Sequence, residues 1–280
     1  MTLDQFKDIT YEKDHNGIVT LTFNIPQRKN ALSAFSFFEI YNAVDLFEKD
    51  DSAYAMIITG AKDPNSDDPH KESYSSGGYF GPDAFEDIPQ QILELLDPTD
   101  IAQKRTTLKL FECDKPIIAA VNGLAIGGAF TMTLAAADQI FMSEHAWIQL
   151  PFAKLGVSAE LGSSYLLPIL LGFQKTKEIL FYAEKIDAQQ AQQLHIANKV
   201  LPHAELLAYT YQKALQLVPP QGAGLAIREM KKLINKPHVK AISDALDREN
   251  EALQILFHSN DFKEAMAARS ERRPSVFSGS

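Results

Sequence analysis

Two adjacent glycines, Gly127-Gly128, stand where a continuous apolar run gives way to a run of small residues. Ile117 to Val121 reads as a strand covered on both faces. Asn122-Gly123 breaks it, and Ala129 to Ala137 reads as a helix ending at Asp138. Glycines at a helix start let a ligand approach backbone N–H groups that have no intrahelical partner. Those groups lie at the positive end of the helix dipole and favour developing negative charge, so an oxyanion is the natural guest. A tight strand-to-helix packing contact would use the same pair. Two phosphate-binding patterns fail on spacing: Gly123, Gly127 and Gly128 do not make Gly-x-Gly-x-x-Gly, and no Gly-Lys-Ser/Thr follows.

Other groups with chemical potential are weaker signals. The seven histidines are scattered with no His-Glu-x-x-His, and His145, His195 and His203 read as surface or packed imidazoles, so no metal site is expected. Gly156-Val157-Ser158-Ala159-Glu160 lacks the closing glycine of a nucleophile elbow. Glu160 precedes the apolar run Leu161 to Leu170, where a carboxylate at a helix N-terminus gains from the dipole. Arg28, Lys29 and the charges of Arg269 to Arg273 read by themselves as a solvated surface.

The elements that must position these groups are legible from periodicity. Ile18 to Ile25 alternates as a strand, Pro26 ends it, and Ser33 is a plausible N-cap for a helix with Phe37, Ile40, Tyr41, Val44 and Phe47 on one face. Tyr54 to Thr59 is a short buried strand, and Gly60 to Ser73 a polar loop longer than most connections. Thr99 to Glu112 predicts a helix, Gln139 to Met142 and Ala146 to Leu150 strands, and Lys175 to Ala183, Asp187 to Leu194 and Ile196 to Leu201 helix, helix and strand. From His203 the pattern is helical to the end, with Ala223, Ile227, Met230 and Ile234 on one face and Val239, Ile242, Leu246, Leu253 and Leu256 on another. This divides the chain into an α/β core, 1–202, and a helical region, 203–280.

Composition sets bounds. A net charge of -9 argues against nucleic acid as a general partner, yet leaves room for a phosphorylated ligand on a local basic patch. Cys113 is the only cysteine, so a disulfide framework and a thiolate metal cluster are excluded and a reducing compartment fits. Met1 to Lys13 shows no signal or transit pattern, no apolar run reaches membrane-spanning length, and the C-terminus is not a peroxisomal address. These observations predict a cytoplasmic setting with no membrane partner.

Four stretches resemble signatures of the enoyl-CoA hydratase/isomerase (crotonase) superfamily. Lys115 to Gly128 is similar to K-P-x-I-A-A-V-N-G-x-A-x-G-G, and Asn24 to Ser33 to Asn-x-P-x-x-x-N-A-L-S. Tyr74-Ser75-Ser76-Gly77-Gly78-Tyr79 resembles F-S-[AS]-G-x-D, with Tyr79 where the family has an aspartate that organises the loop. Pro151 to Tyr165 resembles P-E-x-x-L-G-x-x-P-x-x-G. The resemblance implies a spiral α/β core of repeated ββα units and a helical C-terminal region that builds trimers, often paired into hexamers. It implies an acyl-CoA thioester whose carbonyl is held by the N–H groups of Gly78 and Gly128. It places Arg28, Lys29, Ala31, Ser76, Gly77, Tyr79, Gly127, Phe152 and Arg272 around the substrate, the cations toward CoA phosphate. The stretch Pro82 to Pro98 would form the acyl wall. No separate cofactor is expected, CoA arriving as part of the substrate.

Hydratases of the family add water with two glutamates, whose positions are Thr131 and Phe152 here, and neither replacement ionises near neutral pH. Peroxisomal-type 3-enoyl-CoA to 2-enoyl-CoA isomerases run P-F-x-x-L-G-x-x-P-E-G-x-S-S-Y, and this chain has P-F-A-K-L-G-V-S-A-E-L-G-S-S-Y. Ala159 and Leu161 depart from that pattern. The resemblance thus implies Glu160 as a single base that moves a proton from C2 to C4, as in fatty acid β-oxidation. Rival readings are another crotonase-fold reaction, such as thioester hydrolysis or decarboxylation, and a non-catalytic acyl-CoA-binding module in which Glu160 points away from the two donors.

Overall fold

After an opening hairpin in a large sheet, three passes of the chain each lay one strand into that sheet and the next into a small one. The computed structural model describes residues 5–79, 81, 84, 88 and 90–280. The elements in order are β1 (Ile9–Lys13), β2 (Ile18–Phe23), α1 (Ala34–Lys49), β3 (Ala55–Gly60), β4 (Ser73–Ser75), α2 (Gln90–Leu93), α3 (Thr106–Glu112), β5 (Ile117–Val121), β6 (Leu124–Ile126) and α4 (Gly128–Ala136). Then follow β7 (Gln139–Ser143), β8 (Trp147–Gln149), α5 (Ser163–Leu171), α6 (Phe173–Tyr182), β9 (Ile186–Asp187), α7 (Ala188–Gln193), β10 (Lys199–Leu201), α8 (Leu206–Leu215), α9 (Gly224–Asn235), α10 (Val239–Leu256) and α11 (Asn260–Glu271). The large sheet runs β1-β2-β3-β5-β7-β10, parallel from β2 onward, and the small sheet runs β4-β6-β8-β9. The successive pairs β3/β4, β5/β6 and β7/β8 make the fold a spiral of ββα turns, the crotonase-type architecture.

The sequence explains the layers. In β5 all residues are buried, because both faces are covered. Ile117, Ala119 and Val121 belong to the main core with Phe23, Phe47 and Phe130, while Ile118 and Ala120 meet Leu206, Ala214 and Val218 on the α8 side. In β2 the pattern alternates from Val19 onward, as the outward Thr20 and Thr22 require. α1 starts where Ser33 accepts from Ser36 N–H while the Ser36 hydroxyl accepts from Ser33 N–H, a reciprocal cap. At the centre, Tyr74 is fully buried, edge-on to Phe23 at 5.2 Å, its hydroxyl hydrogen-bonded to Thr133 at 2.8 Å.

Three expectations change. Leu124–Ile126, between the break at Asn122-Gly123 and the Gly127-Gly128 helix start and given no element by periodicity, is strand β6 of the small sheet. The predicted helix over 99–112 is α3 preceded by a π-helix, Pro98–Arg105, which Asp97 caps by accepting from Thr99 N–H. Wider π turns are common near functional sites. The helical pattern also does not reach the C-terminus: past Arg272 the chain folds back, Ser280 C=O accepting from Asn260 N–H and Asp261 from Gly279 N–H. Much of the expected acyl wall, at 82, 83, 85–87 and 89, lies outside the described residues. Among the described residues no helix is long and apolar enough to cross a membrane.

Candidate active site

The small sheet positions the site. β4, β6 and β8 are parallel neighbours, with Ser75 beside Ala125 and Ala125 beside Ile148, so the loops after them leave the same edge together. These loops carry Gly77-Gly78, Gly127-Gly128 and Pro151-Phe152. Contact between the first two is close: a Cβ on Gly77, at φ +94°, would lie 2.7 Å from the Ile126 carbonyl oxygen. Glycine is therefore required there by both conformation and space.

Gly128 is the first residue of α4, and its N–H has no intrahelical acceptor. Gly127 before it, at φ +52°, donates to Gln149 C=O at 2.9 Å. Among the described residues neither Gly128 N–H nor Gly78 N–H donates a hydrogen bond. Gly128 lies buried and Gly78 exposed, so the pair joins a core-held donor to one reachable from solvent.

Glu160 stands against Gly128. A Cβ placed on Gly128 would lie 2.8 Å from Glu160 Oε1 and 3.3 Å from Leu161 Cδ1. The other oxygen, Oε2, accepts from Gln103 Nε2 at 2.6 Å, so one oxygen is anchored and the other lies against Gly128. Part of the Glu160 residue keeps solvent access, yet its carboxyl is enclosed. Burial pushes its pKa up to about 7; the Gln103 bond opposes that rise and the charge of Glu249 adds to it. Glu249, on α10, is buried and accepts from Gly162 N–H and Ser164 N–H, both at 2.8 Å. It thereby caps α5 and holds the turn in which Leu161, at φ +55°, and Gly162 take left-handed conformations.

Gln103 and Glu249 were not singled out from the sequence. Gln103 carries no local signal, because only the π-helix brings it to a residue 57 positions away. Glu249 carried one: it lies on the buried stripe of α10 with Ile242, Leu246 and Leu253, and a carboxylate on an apolar stripe demands a partner.

The two hydratase positions are filled by groups that cannot act as acid or base. Thr131 is fully buried, its hydroxyl turned back to Gly127 C=O and Gly128 C=O at 3.4 and 3.3 Å. Phe152 is 4% exposed and belongs to the main core, 3.9 Å from the Cβ position of Gly127.

The remaining predicted residues split into two groups. Segment 28–32 and loop 76–79 lie together: Ser76 N–H donates to Lys29 C=O at 3.0 Å, Leu32 N–H to Gly77 C=O at 2.8 Å, and Tyr79 N–H to Leu32 C=O at 2.8 Å. Ala31 is buried beneath them, and Lys29 is exposed at φ +53°. Arg28 is not splayed toward solvent: its guanidinium stacks 4.3 Å over the Tyr79 ring and approaches Asp8 at 3.6 Å. Arg272 is exposed at the C-terminal end of α11, at φ +55°, and among the described residues no hydrogen bond or ion pair joins it to the other predicted residues. Among the described residues no cluster of His, Cys, Asp and Glu could hold a metal ion.

Residues 13–280 match the sequence profile described as "Enoyl-CoA hydratase/isomerase". The chain is 30% identical over 274 residues to a crotonyl-CoA hydratase of Syntrophomonas wolfei, covering 97% of this chain and 98% of the relative. It is 32% identical over 224 residues to human enoyl-CoA delta isomerase 2, covering 79% of this chain and 52% of that protein. Among solved structures, an enoyl-CoA hydratase/isomerase from Pseudoalteromonas atlantica superposes with a TM-score of 0.82 at 25% identity, covering 97% of this chain and all of the other.

Proposed function

The chain belongs to the enoyl-CoA hydratase/isomerase family, and from that premise we propose that it shifts a double bond from 3-enoyl-CoA to trans-2-enoyl-CoA. One observation carries the choice: among the described residues Glu160 is the carboxylate beside Gly128, while the positions that carry the hydratase glutamates hold a buried Thr131 and Phe152. In this reading the thioester oxygen sits between Gly78 N–H and Gly128 N–H, and each donor contributes about 3–4 kcal/mol to lowering the barrier. Glu160 Oε1 takes the proton from C2, the dienolate charge rests on the carbonyl oxygen, and the same carboxyl returns the proton to C4. A pKa of about 7 suits a group that must both accept and release a proton near neutral pH.

Gln103 fits both states of that carboxyl. Its N–H donates to ionised Glu160, and its buried Oε1 has no hydrogen-bond partner among the described residues. A turn of the amide would offer that oxygen to the O–H of protonated Glu160. The carboxyl lies against the donor helix, which opposes a purely binding module.

Lys29 and Arg272, both exposed, are proposed contacts for CoA phosphate. A trimer or a dimer of trimers is proposed as well, because Leu225, Leu233 and Ile234 of α9 and Phe173 and Phe181 of α6 are more than half exposed in a single chain; sedimentation as a monomer at micromolar concentration would contradict it. A reducing, cytoplasmic setting accords with Cys113, a fully buried free thiol.

The test uses 3-hexenoyl-CoA and 2-hexenoyl-CoA with parent and Glu160→Gln enzymes. The parent is expected to isomerise the first and hydrate the second slowly. The variant should bind either thioester normally and lose about 10²–10⁴-fold in kcat. Parental turnover by the variant, or brisk hydration by the parent, would sink the reading.

A further inference from the structure

The loop that presents Gly78 has little sheet to hold it. β4 is three residues long and its register with β6 slips between Ser73 and Ser75. Beyond β4 the loop is tied to segment 28–32: Ser76 N–H, Ser76 Oγ, Gly77 C=O and Tyr79 N–H bond to Lys29, Arg28, Leu32 and Leu32. That segment is itself irregular, with Lys29 and Asn30 both left-handed at φ +53°. The orientation of Gly78 N–H therefore depends on what fixes residues 28–30.

Asn30 is held by its own buried amide, which accepts from Ile25 N–H and donates to Ala61 C=O and Ser73 C=O; Arg28 is held by a chain of side chains. Buried Glu39 on α1 accepts from Lys7 N–H and Asp8 N–H at 2.7 and 2.8 Å. Asp8 accepts from Ser36 Oγ at 2.5 Å and faces the Arg28 guanidinium. The guanidinium covers the Tyr79 ring, and the ring lies on Gly81, where an added Cβ would meet the Tyr79 hydroxyl at 2.1 Å. The Arg28 and Asp8 side chains are only 18% and 14% exposed. The cation is thus committed to a carboxylate on one side and a ring face on the other, a use that needs a planar guanidinium.

We propose that Asp8, Arg28 and Tyr79 form a brace that holds Gly78 N–H in line with the thioester oxygen, making Arg28 a positioning residue of the oxyanion site and not a phosphate contact. This rests on the proposed acyl-CoA reading. Arg28→Lys keeps the charge and reach but removes the planar face, and Tyr79→Leu and Asp8→Asn interrupt the brace on either side. Each would be assayed with 3-hexenoyl-CoA and with 3-hexenoyl-pantetheine, which lacks the nucleotide phosphates. The carbonyl stretch of bound, carbon-13-labelled hexanoyl-CoA, an unreactive thioester, would be read by infrared difference spectroscopy.

For Arg28→Lys and Tyr79→Leu we expect kcat to fall about 10–100-fold on both substrates, below the loss for removing a donor outright. KM for the CoA thioester should stay within about threefold, and the carbonyl band should return toward its solution position as the hydrogen bond loosens. Asp8→Asn should show the same pattern more weakly. Parental kcat and an unmoved band in Arg28→Lys would overturn the brace, as would a loss confined to KM for the CoA thioester, which is the mark of a phosphate contact. A parent that shifts the carbonyl band but isomerises nothing would refute the proposed reaction, and the band in the variants would still decide the brace.

Discussion

The two proposed donors are built in opposite ways. Gly128 N–H begins a helix whose residues 128–133 are all buried, and Leu161 against Gly128 and Phe152 against Gly127 belong to the main core. Gly78 N–H lies exposed on a loop whose anchors are backbone bonds to an irregular segment and a stacked Arg28–Tyr79 pair. The difference has a physical reason. In the proposed reaction a thioester enters between the donors, so both cannot be sealed in a close-packed interior. The core fixes one donor through packing; the other is fixed by directional contacts that leave a face open. The core half should therefore fail abruptly when altered, and the loop half by degrees.

Gly128→Ala tests the abrupt half and should have the largest effect of the changes at the two donors. Its Cβ would meet Glu160 Oε1 at 2.8 Å, displacing the base and crowding the donor together. A kcat loss of about 10³-fold or more is expected from two functions disturbed at once. Gly77→Ala strikes the joint between the halves, with φ +94° and the Ile126 carbonyl oxygen at 2.7 Å, neither of which yields readily. About 10²-fold in kcat and a lowered Tm are expected. If Gly77→Ala proves the more damaging in kcat, the loop is the rigid half and the contrast is reversed.

Gln103→Leu comes next in size. It removes the hydrogen bond to Glu160 Oε2, and with it the influence that holds the carboxyl pKa down against burial. We expect kcat to fall about 10-fold and the pH dependence of kcat/KM to move upward. An unchanged pH profile would show that Gln103 only fills space.

Glu160→Gln should also alter stability, in a direction opposite to its effect on turnover. The folded-state pKa of about 7 lies above the ordinary carboxylate value of 4.5. Below pH 4.5 both states are protonated and no penalty exists. Between 4.5 and about 7 the unfolded chain releases its proton first, so stability falls as pH rises, and above 7 the penalty is complete. The variant should match the parent near pH 4 and exceed it at pH 8 by on the order of 2 kcal/mol. Thermal melts at the two pH values decide it, and a variant that is less stable at pH 8 refutes the burial of an ionised base.

What was legible in the sequence follows this same division. Strand β5, the Gly-Gly helix start and the Ser33 cap were readable because period, apolarity and capping chemistry are local. The isolated signals Gly127-Gly128 and Glu160 were ambiguous until flanking residues supplied a family resemblance, and the structure then set them side by side. The short strand β6 was missed because three residues between glycines carry no period. The π-helix over 98–105 was missed because its hydrogen-bond spacing leaves no compositional trace, and with it the partner of Glu160. Arg28 was legible as a cation near the site, but its partners Asp8 and Tyr79 lie 20 and 51 positions away, and only the fold shows that its charge is already engaged.

The smallest expected effect belongs to Glu249, and it asks whether the helical region tunes the core half. Glu249 accepts from Gly162 N–H and Ser164 N–H while its charge raises the Glu160 pKa. Its own pKa is raised by burial, against the hydrogen bonds from Ser164 and Gly162 that favour the ionised form. Glu249→Gln keeps one acceptor oxygen and a similar shape but removes the charge. With less negative charge nearby, ionised Glu160 is favoured, so the limb of kcat/KM that rises with pH should move below about 7. At pH 6 the variant should then carry more ionised base and approach or exceed parental turnover, whereas at pH 8, where the parental base is already ionised, it should fall behind slightly as the turn at Leu161 loosens. A purely capping role predicts a different result: equal losses at both pH values with no change in the profile. An unmoved profile would also follow if Glu249 is protonated in the working enzyme and burial alone sets the Glu160 pKa, and a profile that moves upward would refute the tuning.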